Sequence, residues 1–195
     1  MRGPLCAGRG GMNRMATGTK QMITDHLFDM LKRKKLDSIT VKSLVEHCGI
    51  SRQTFYYHFQ DIMDVLEWGS RQAMEQALED SLHAPTAHES IRIFVRLVMR
   101  QREVIRGLLQ SQHRAEFEEL FVKSLHIYLQ ELFCQKWPNS HLSVADLNAL
   151  VWFHTFGMIG LILQCCTRES TDEELLVDQI YRLLLGEMMG QLIGP

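Results

Sequence analysis

The run Arg52-Gln53-Thr54-Phe55-Tyr56-Tyr57-His58 combines side chains that can hydrogen-bond to a nucleic acid. Arg and Gln each form paired hydrogen bonds with base edges in a major groove. Thr, Tyr and His reach phosphate oxygens, and Thr also fits against a thymine methyl. At about 100° per residue on a helix, Phe55 and Phe59 stand at i and i+4 and share one face. That setting puts Gln53 and Tyr57 opposite, with Arg52, Thr54, Tyr56 and His58 on the flanks. Adjacent tyrosines beside an Arg and a Gln are unusual for a face that meets only water, so the spacing predicts one that meets a duplex.

Two elements must position this face. Thr40 caps a short helix with Val41, Leu44, Val45 and Cys48 on its apolar side. Gly49 stops it, because glycine takes the left-handed conformation that a sharp exit requires. Ile50 plugs the corner, and Ser51 caps the helix that carries Phe55 and Phe59. Two capped helices joined at a glycine form a helix-turn-helix.

The strings Thr40-Val41, Gly49-Ile50-Ser51 and Thr54-Phe55-Tyr56-Tyr57-His58-Phe59 resemble the DNA-binding signature of the tetracycline-repressor (TetR/AcrR) family of bacterial transcription regulators. The resemblance covers residues 19–66 as motif and the remainder as a compatible helical pattern. It implies that Thr40, Lys42, Ser51, Arg52, Gln53, Thr54, Tyr56, Tyr57 and His58 meet double-stranded DNA, with Thr40 and Val41 at the backbone end of the preceding helix. Two positions depart from the family pattern. Val45 stands where a small alanine is usual, and Ile62 stands where a phosphate-binding lysine is usual, which leaves that contact to Lys20, Lys32 or Lys42. The resemblance further implies a homodimer on a pseudo-palindromic operator and a repressor released by a small-molecule effector. The alternative is a regulator or activator of the same fold controlled by a protein co-regulator. The segment from Phe59 to Trp68 resembles the branch that includes dihydroxyacetone-kinase operon activators.

Bulk properties bound the rest. The 195 residues are 46% hydrophobic, enough for one sizeable core. The net charge of -2 conceals an asymmetry: residues 1–66 hold ten Lys/Arg against six Asp/Glu, whereas residues 67–195 hold eleven against seventeen. Only the front end invites a polyanion. The run Lys32-Arg33-Lys34-Lys35 adds to this and also suits the last turn of a helix. Residues 1–18 have no apolar central segment, and the longest apolar run, residues 149–163, falls short of the roughly 20 residues that a bilayer crossing needs. The expectation is a cytoplasmic protein with no membrane partner, and residues 1–18 are read as a disordered extension or expression remnant.

The fold class predicted is all-α, an N-terminal three-helix helix-turn-helix head plus a C-terminal helical ligand-binding and dimerisation bundle. Residues 19–66 form the head and residues 67–195 the effector-binding and dimerisation domain. The spacing predicts a first helix over 19–34, with Ile23, Leu27, Met30 and Leu31 inward. A linking helix follows over 62–82, capped by Asp61, and then helices over 88–109 and 114–136. Ser143 caps a strongly apolar helix to residue 166, and Thr171 caps a last one to residue 189. Val151, Trp152, Phe153, Phe156, Ile159, Leu161, Ile162 and Leu163 surround the first of this pair, more than one subunit covers, which reads as a dimer seam; the rival reading is a helix buried inside its own domain. Gly157 and Gly160 would admit a partner helix, with Leu176, Ile180, Leu183 and Leu184 on the companion.

Candidate effector-pocket residues are Trp68, Arg96, Met99, Tyr128, Trp152, His154 and Phe156, joined by Met158 and by Arg100 as a second anion anchor. Each fits ordinary packing as well. Five cysteines, Cys6, Cys48, Cys134, Cys165 and Cys166, show no metal-ligand spacing and read as reduced thiols. A metal or redox site drawn from Cys134, His126, His141, Cys165 or Cys166 is the weaker reading, and neither metal nor cofactor is expected. His154 with Cys165 or Cys166 is the least implausible catalytic pair. No nucleophile motif, Gly-rich phosphate loop or paired-carboxylate cluster supports it, so no enzyme is expected.

Overall fold

Apolar spacing near 3.6 residues becomes helix throughout the described parts of the chain in a computed structural model that describes residues 14–138, 142–168 and 171–184, with side-chain surroundings from residue 18 onward. Among the described residues there is no strand. The order is α1 (Arg14–Leu31), a 3-10 turn (Leu36–Ser38), α2 (Val41–Cys48), α3 (Arg52–His58) and α4 (Ile62–His83). It continues with α5 (Ala87–Arg100), α6 (Arg102–Leu109), α7 (Arg114–Lys136), α8 (Val144–Thr167) and α9 (Glu173–Leu184).

The first three helices pack as a small head whose centre is Ile23, Leu27, Leu44 and Phe55. Helix α1 also lies across α4, and α4 runs on to pack against α5 and α7. Buried side chains from Ile23 to Ile180 form one continuous cluster, so head and bundle share a core through Val65, Leu66 and Trp68 of α4. Farther along α4, the buried Ser81 hydroxyl pairs with the Tyr128 hydroxyl of α7 at 2.8 Å. The Ser90 hydroxyl of α5 donates to the Ser81 carbonyl at 2.8 Å. Burial pushes the Tyr128 phenol up to about 12, with the Ser81 contact pulling the other way, so it stays a neutral hydrogen-bonding group.

Three boundaries differ from the sequence expectation. Helix α1 begins at Arg14 and ends at Leu31, so residues 14–18 belong to it, while Lys32 to Lys35 follow the helix instead of closing it. The expected single helix over 88–109 breaks at Gln101 into α5 and α6. Periodicity hides this break because Val104, Ile105 and Leu108 continue the apolar spacing of Val98. The change of direction serves contacts that are distant in sequence: α5 packs on α4 and α9, whereas α6 packs on α7 and α8. Arg106 donates to the Cys166 carbonyl at 3.0 Å and, with Arg102, to the Arg168 carbonyl at 2.9 and 3.0 Å, meeting carbonyls that the end of α8 leaves open. Finally, Asp172 caps α9 by accepting from the Leu175 amide at 3.1 Å, while Thr171 donates to the Cys165 carbonyl instead. The expected extension to residue 189 lies outside the described residues, as do residues 1–13, Cys6 and His141.

Helix α8 spans 24 residues with a window of mean hydropathy 1.7, long and apolar enough to cross a membrane by length and composition. One side of it, Val151, His154, Thr155, Met158, Ile159 and Ile162, is instead buried in the bundle.

Candidate nucleic-acid interface

Local chemistry fixes the helix pair. The Thr40 hydroxyl accepts from the Ser43 amide at 3.1 Å and the Ser43 hydroxyl accepts from the Thr40 amide at 3.0 Å, a reciprocal cap at the start of α2. Gly49 adopts φ 67, ψ 30, a left-handed geometry that costs glycine little, and the Ile50 amide returns to the Val45 carbonyl at 3.1 Å. Ser51 then accepts from the Thr54 amide at 3.0 Å and opens α3. Behind α3, Phe55 and Phe59 are buried, their rings 6.1 Å apart. Phe59 meets Trp68 of α4 edge-on at 6.2 Å, and the Lys20 ammonium lies 5.0 Å above the Phe59 ring. Asp61 caps α4 through the Asp64 amide at 2.8 Å, and Asp64 accepts in return from the Gln60 amide at 3.0 Å.

With its inner side pinned, α3 turns the opposite one to solvent. Tyr57 is 81% exposed and Tyr56 58%, with Arg52 and Gln53 exposed beside them. His58 is half-buried, its ring edge-on to Tyr57 at 4.9 Å. Lys42 is exposed on α2. The hydroxyls of Thr40, Ser51 and Thr54 are occupied locally, Ser51 and Thr54 lying 2.9 Å apart, so these residues shape the helix starts and leave the outermost positions to Arg52, Gln53, Tyr56 and Tyr57. Val45, in the place of a small residue, is buried between the two helices, and Ile62 is half-buried at the start of α4.

The candidate pocket residues are dispersed. Trp68 is buried between head and bundle against Phe59, and Met99 is buried on α5. Arg96 is exposed and pairs with Glu174 of α9 at 3.4 Å, while Arg100 is exposed at the end of α5. Tyr128 and Met158 line an apolar cavity of roughly 170 Å³ between α5, α7, α8 and α9. His154 is buried between Phe133 and Phe153, and burial holds its imidazole below the usual value. Trp152 stacks on His126 at 3.9 Å and on Phe156 at 5.6 Å. A larger pocket, roughly 600 Å³ and open to solvent on one side, lies where α1 crosses α4 and is walled by α5, α6 and α7. None of the candidate residues lines it. Its sequence signal is Gly69, a lone glycine in mid-helix: a Cβ there would sit 2.4 Å from Thr24 Cγ2 and 2.8 Å from Phe28 Cε2.

A second surface stands out on α8. Phe153 is 73% exposed and Phe156 59%, beside the bare backbone of Gly157 and Gly160, and Leu175 and Leu183 of α9 are exposed as well. Leu176 and Ile180, expected on that outer stripe, point into the protein's own core. Among the described residues Cys48, Cys134, Cys165 and Cys166 form no disulfide, and burial pushes Cys166 up to about 11, the opposite of what a thiolate nucleophile requires. Among the described residues no group of three or more His, Cys, Asp or Glu side chains gathers as a metal site.

No protein-family model and no curated protein sequence matches the chain. Solved structures do. The dihydroxyacetone kinase operon activator DhaS superposes with a TM-score of 0.69 at 18% identity over 87% of this chain and 95% of its own. The fatty acid degradation regulator FadR from Bacillus halodurans gives 0.60 at 16% identity over 86% and 94%. The TetR family repressor AlkX from Dietzia sp. strain DQ12-45-1b gives 0.59 at 14% identity over 87% and 95%. An all-helical chain with a helix-turn-helix at its front, superposing on these over nearly its whole length, has the fold of the TetR/AcrR transcription regulators.

Proposed function

We propose that this protein is a sequence-specific DNA-binding transcription regulator, working in the cytoplasm as a homodimer and as a repressor released by a small molecule. The observation that carries the reading is the outward face of α3: Arg52, Gln53, Tyr56 and Tyr57 stand exposed because Phe55 and Phe59 are buried behind them. A helix of this kind fits the major groove, with Arg52 and Gln53 at base edges and the tyrosines at the backbone. Lys42 on α2 supplies a neighbouring phosphate contact.

Dimerisation is supported by the outer face of α8. An apolar patch with two glycines suits close approach by the same helix of a second copy, and a two-fold axis through such a seam makes the contact self-complementary. Two α3 helices would then enter successive major grooves about 34 Å apart, on a pseudo-palindromic site. The rival catalytic reading fails on chemistry, because His154 is packed between aromatic rings and the Cys166 thiol is driven away from ionisation.

Pull-down of genomic fragments followed by footprinting tests the proposal. It expects one enriched inverted repeat with two protected half-sites a helical turn apart. Retention without sequence preference, or a single protected half-site, would overturn it. Expression of the bound genes in a deletion strain tests the sign of control: repression requires it to rise.

A further inference from the structure

We infer that the cavity between α1, α4, α6 and α7 binds a neutral, ring-containing molecule with hydrogen-bonding groups along one edge, and that its occupancy acts on the head through α1. The inference deepens the regulatory reading above and rests on it for its consequence, though not for the binding itself.

At roughly 600 Å³ the cavity is of a size that encloses small organic ligands. Two buried polar atoms in its lining, Thr24 Oγ1 and Gln101 Oε1, meet no hydrogen-bond partner among the described residues. Thr24 is only 3% exposed, and a valine would fill the same shape without an orphaned hydroxyl. Buried polar groups are ordinarily paired, so two of them lining one cavity from separate segments, α1 and the α5–α6 junction, mark where a partner is to be supplied. Gln101 stands at the break between α5 and α6, the point where the chain gives up a continuous helix.

The remaining walls define the ligand. Phe117 and Phe121 stack with ring centroids 5.8 Å apart and planes 10° apart, with Phe28 lining the same space from α1. A flat ring extends such an array. The ionic side chains in the lining are Asp25 and Lys32, one of each sign, and Asp25 already accepts from Gln21 Nε2 at 2.8 Å. With no excess charge of either sign, the site favours a neutral molecule over an ion. Thr24 can donate or accept and the Gln101 oxygen accepts, so the matching edge carries hydroxyl or amide groups.

The transmitting element is α1. At Gly69 the backbone of α4 comes so close to Thr24 and Phe28 that no side chain fits between them, and both residues also line the cavity. A molecule that fills the space and engages Thr24 therefore bears on the helix that packs, through Ile23 and Leu27, into the core of the head.

The probe is 3-hydroxybenzamide, whose hydroxyl and amide lie on one side of the ring, titrated into the full chain by calorimetry and ligand-observed NMR. Wild type is expected to bind it at least tenfold more tightly than benzoate, the charged ring of similar size. Thr24→Val combined with Gln101→Leu, and separately Ala73→Phe, which fills the cavity, should each keep the helical circular dichroism and lose at least tenfold in affinity. Bound probe should slow hydrogen exchange along α1. Absence of binding to wild type, affinity retained within tenfold in either folded variant, or equal binding of benzoate overturns the site. Unchanged exchange in α1 overturns the coupling. Binding of the probe by a protein that selects no genomic DNA leaves the site standing and removes the regulatory reading. Selection of DNA without probe binding does the reverse.

Discussion

Two helices of this protein expose aromatic side chains, and their neighbours differ. On α3, Tyr56 and Tyr57 stand among Arg52, Gln53 and His58, so every ring has a hydrogen-bonding group beside it. On α8, Phe153 and Phe156 stand beside Gly157 and Gly160, so the rings border bare backbone. The first surface is well solvated and suits a polar, charged duplex. The second leaves a ridge of phenyl rings against a flat strip, which suits another helix. Exposure alone therefore does not identify a partner; the residues interleaved with the aromatics do.

The largest expected effect comes from placing a charge on the α8 face. Phe153→Glu should cost the dimer about 3–5 kcal/mol, because a carboxylate buried in the seam has no counter-ion. Sedimentation equilibrium should report a monomer with unchanged helical content, and a dimer of wild-type strength would break the assignment of that face. On α3 the same experiment reads differently. Gln53→Ala or Tyr57→Ala should leave the dimer intact and weaken operator binding by about 1–3 kcal/mol at fixed salt. Equal affinity for cognate and scrambled DNA in wild type would remove the contrast altogether.

The two regions also differ in how far the sequence discloses them. The head was legible because local signals decide it: Thr40, Gly49 and Ser51 act within three or four residues, and Phe55 and Phe59 fix a face by spacing alone. In the bundle the deciding contacts are distant. The break at Gln101 answers to the end of α8, and Arg96 is taken by Glu174, 78 residues away. Aromatic and Met residues at helical spacing read alike whether they line a space or fill it. The expected pocket residues accordingly lie in the core, on the surface and at a small cavity, and helical spacing carries no signal for the larger cavity beside Thr24, Gly69 and Gln101. On α9, periodicity marked Leu176 and Ile180 as a stripe without saying which way it turned. They face inward, leaving Leu175 and Leu183 outside.

A pair of glycines sharpens the same contrast between covered and uncovered backbone. At Gly69 an added Cβ collides with Thr24, itself buried and β-branched, so Gly69→Ala should destabilise the fold by about 1–3 kcal/mol. At Gly157 nothing lies within 4 Å of such a Cβ in the single chain. Gly157→Ala should therefore stabilise the subunit by roughly 0.5–1 kcal/mol through helix propensity, yet weaken association if a partner helix packs on it. Chemical denaturation of dilute and concentrated protein separates the two. A gain in subunit stability with no loss of dimer affinity would place the seam elsewhere on α8.

The smallest effect is on pH, and it distinguishes the two sides of α8 itself. His154 faces the core and His126 stacks on Trp152 at the edge of the exposed surface; burial lowers both imidazoles below the ordinary value of 6.5. A histidine depressed in the folded state takes its proton more readily when unfolded. Its contribution is thus fully present above about 6.5 and is lost as pH falls through that value toward the folded one. Melting temperature should drop between pH 7.5 and 5.5, and His154→Phe should flatten the drop more than His126→Phe, because His154 is the more deeply buried of the two. An equal slope in wild type and both variants would locate the acid sensitivity in the carboxylates instead. A drop carried mainly by His126 would mean that its ring is covered in solution, as it would be if the α8 seam extends across Trp152 to α7.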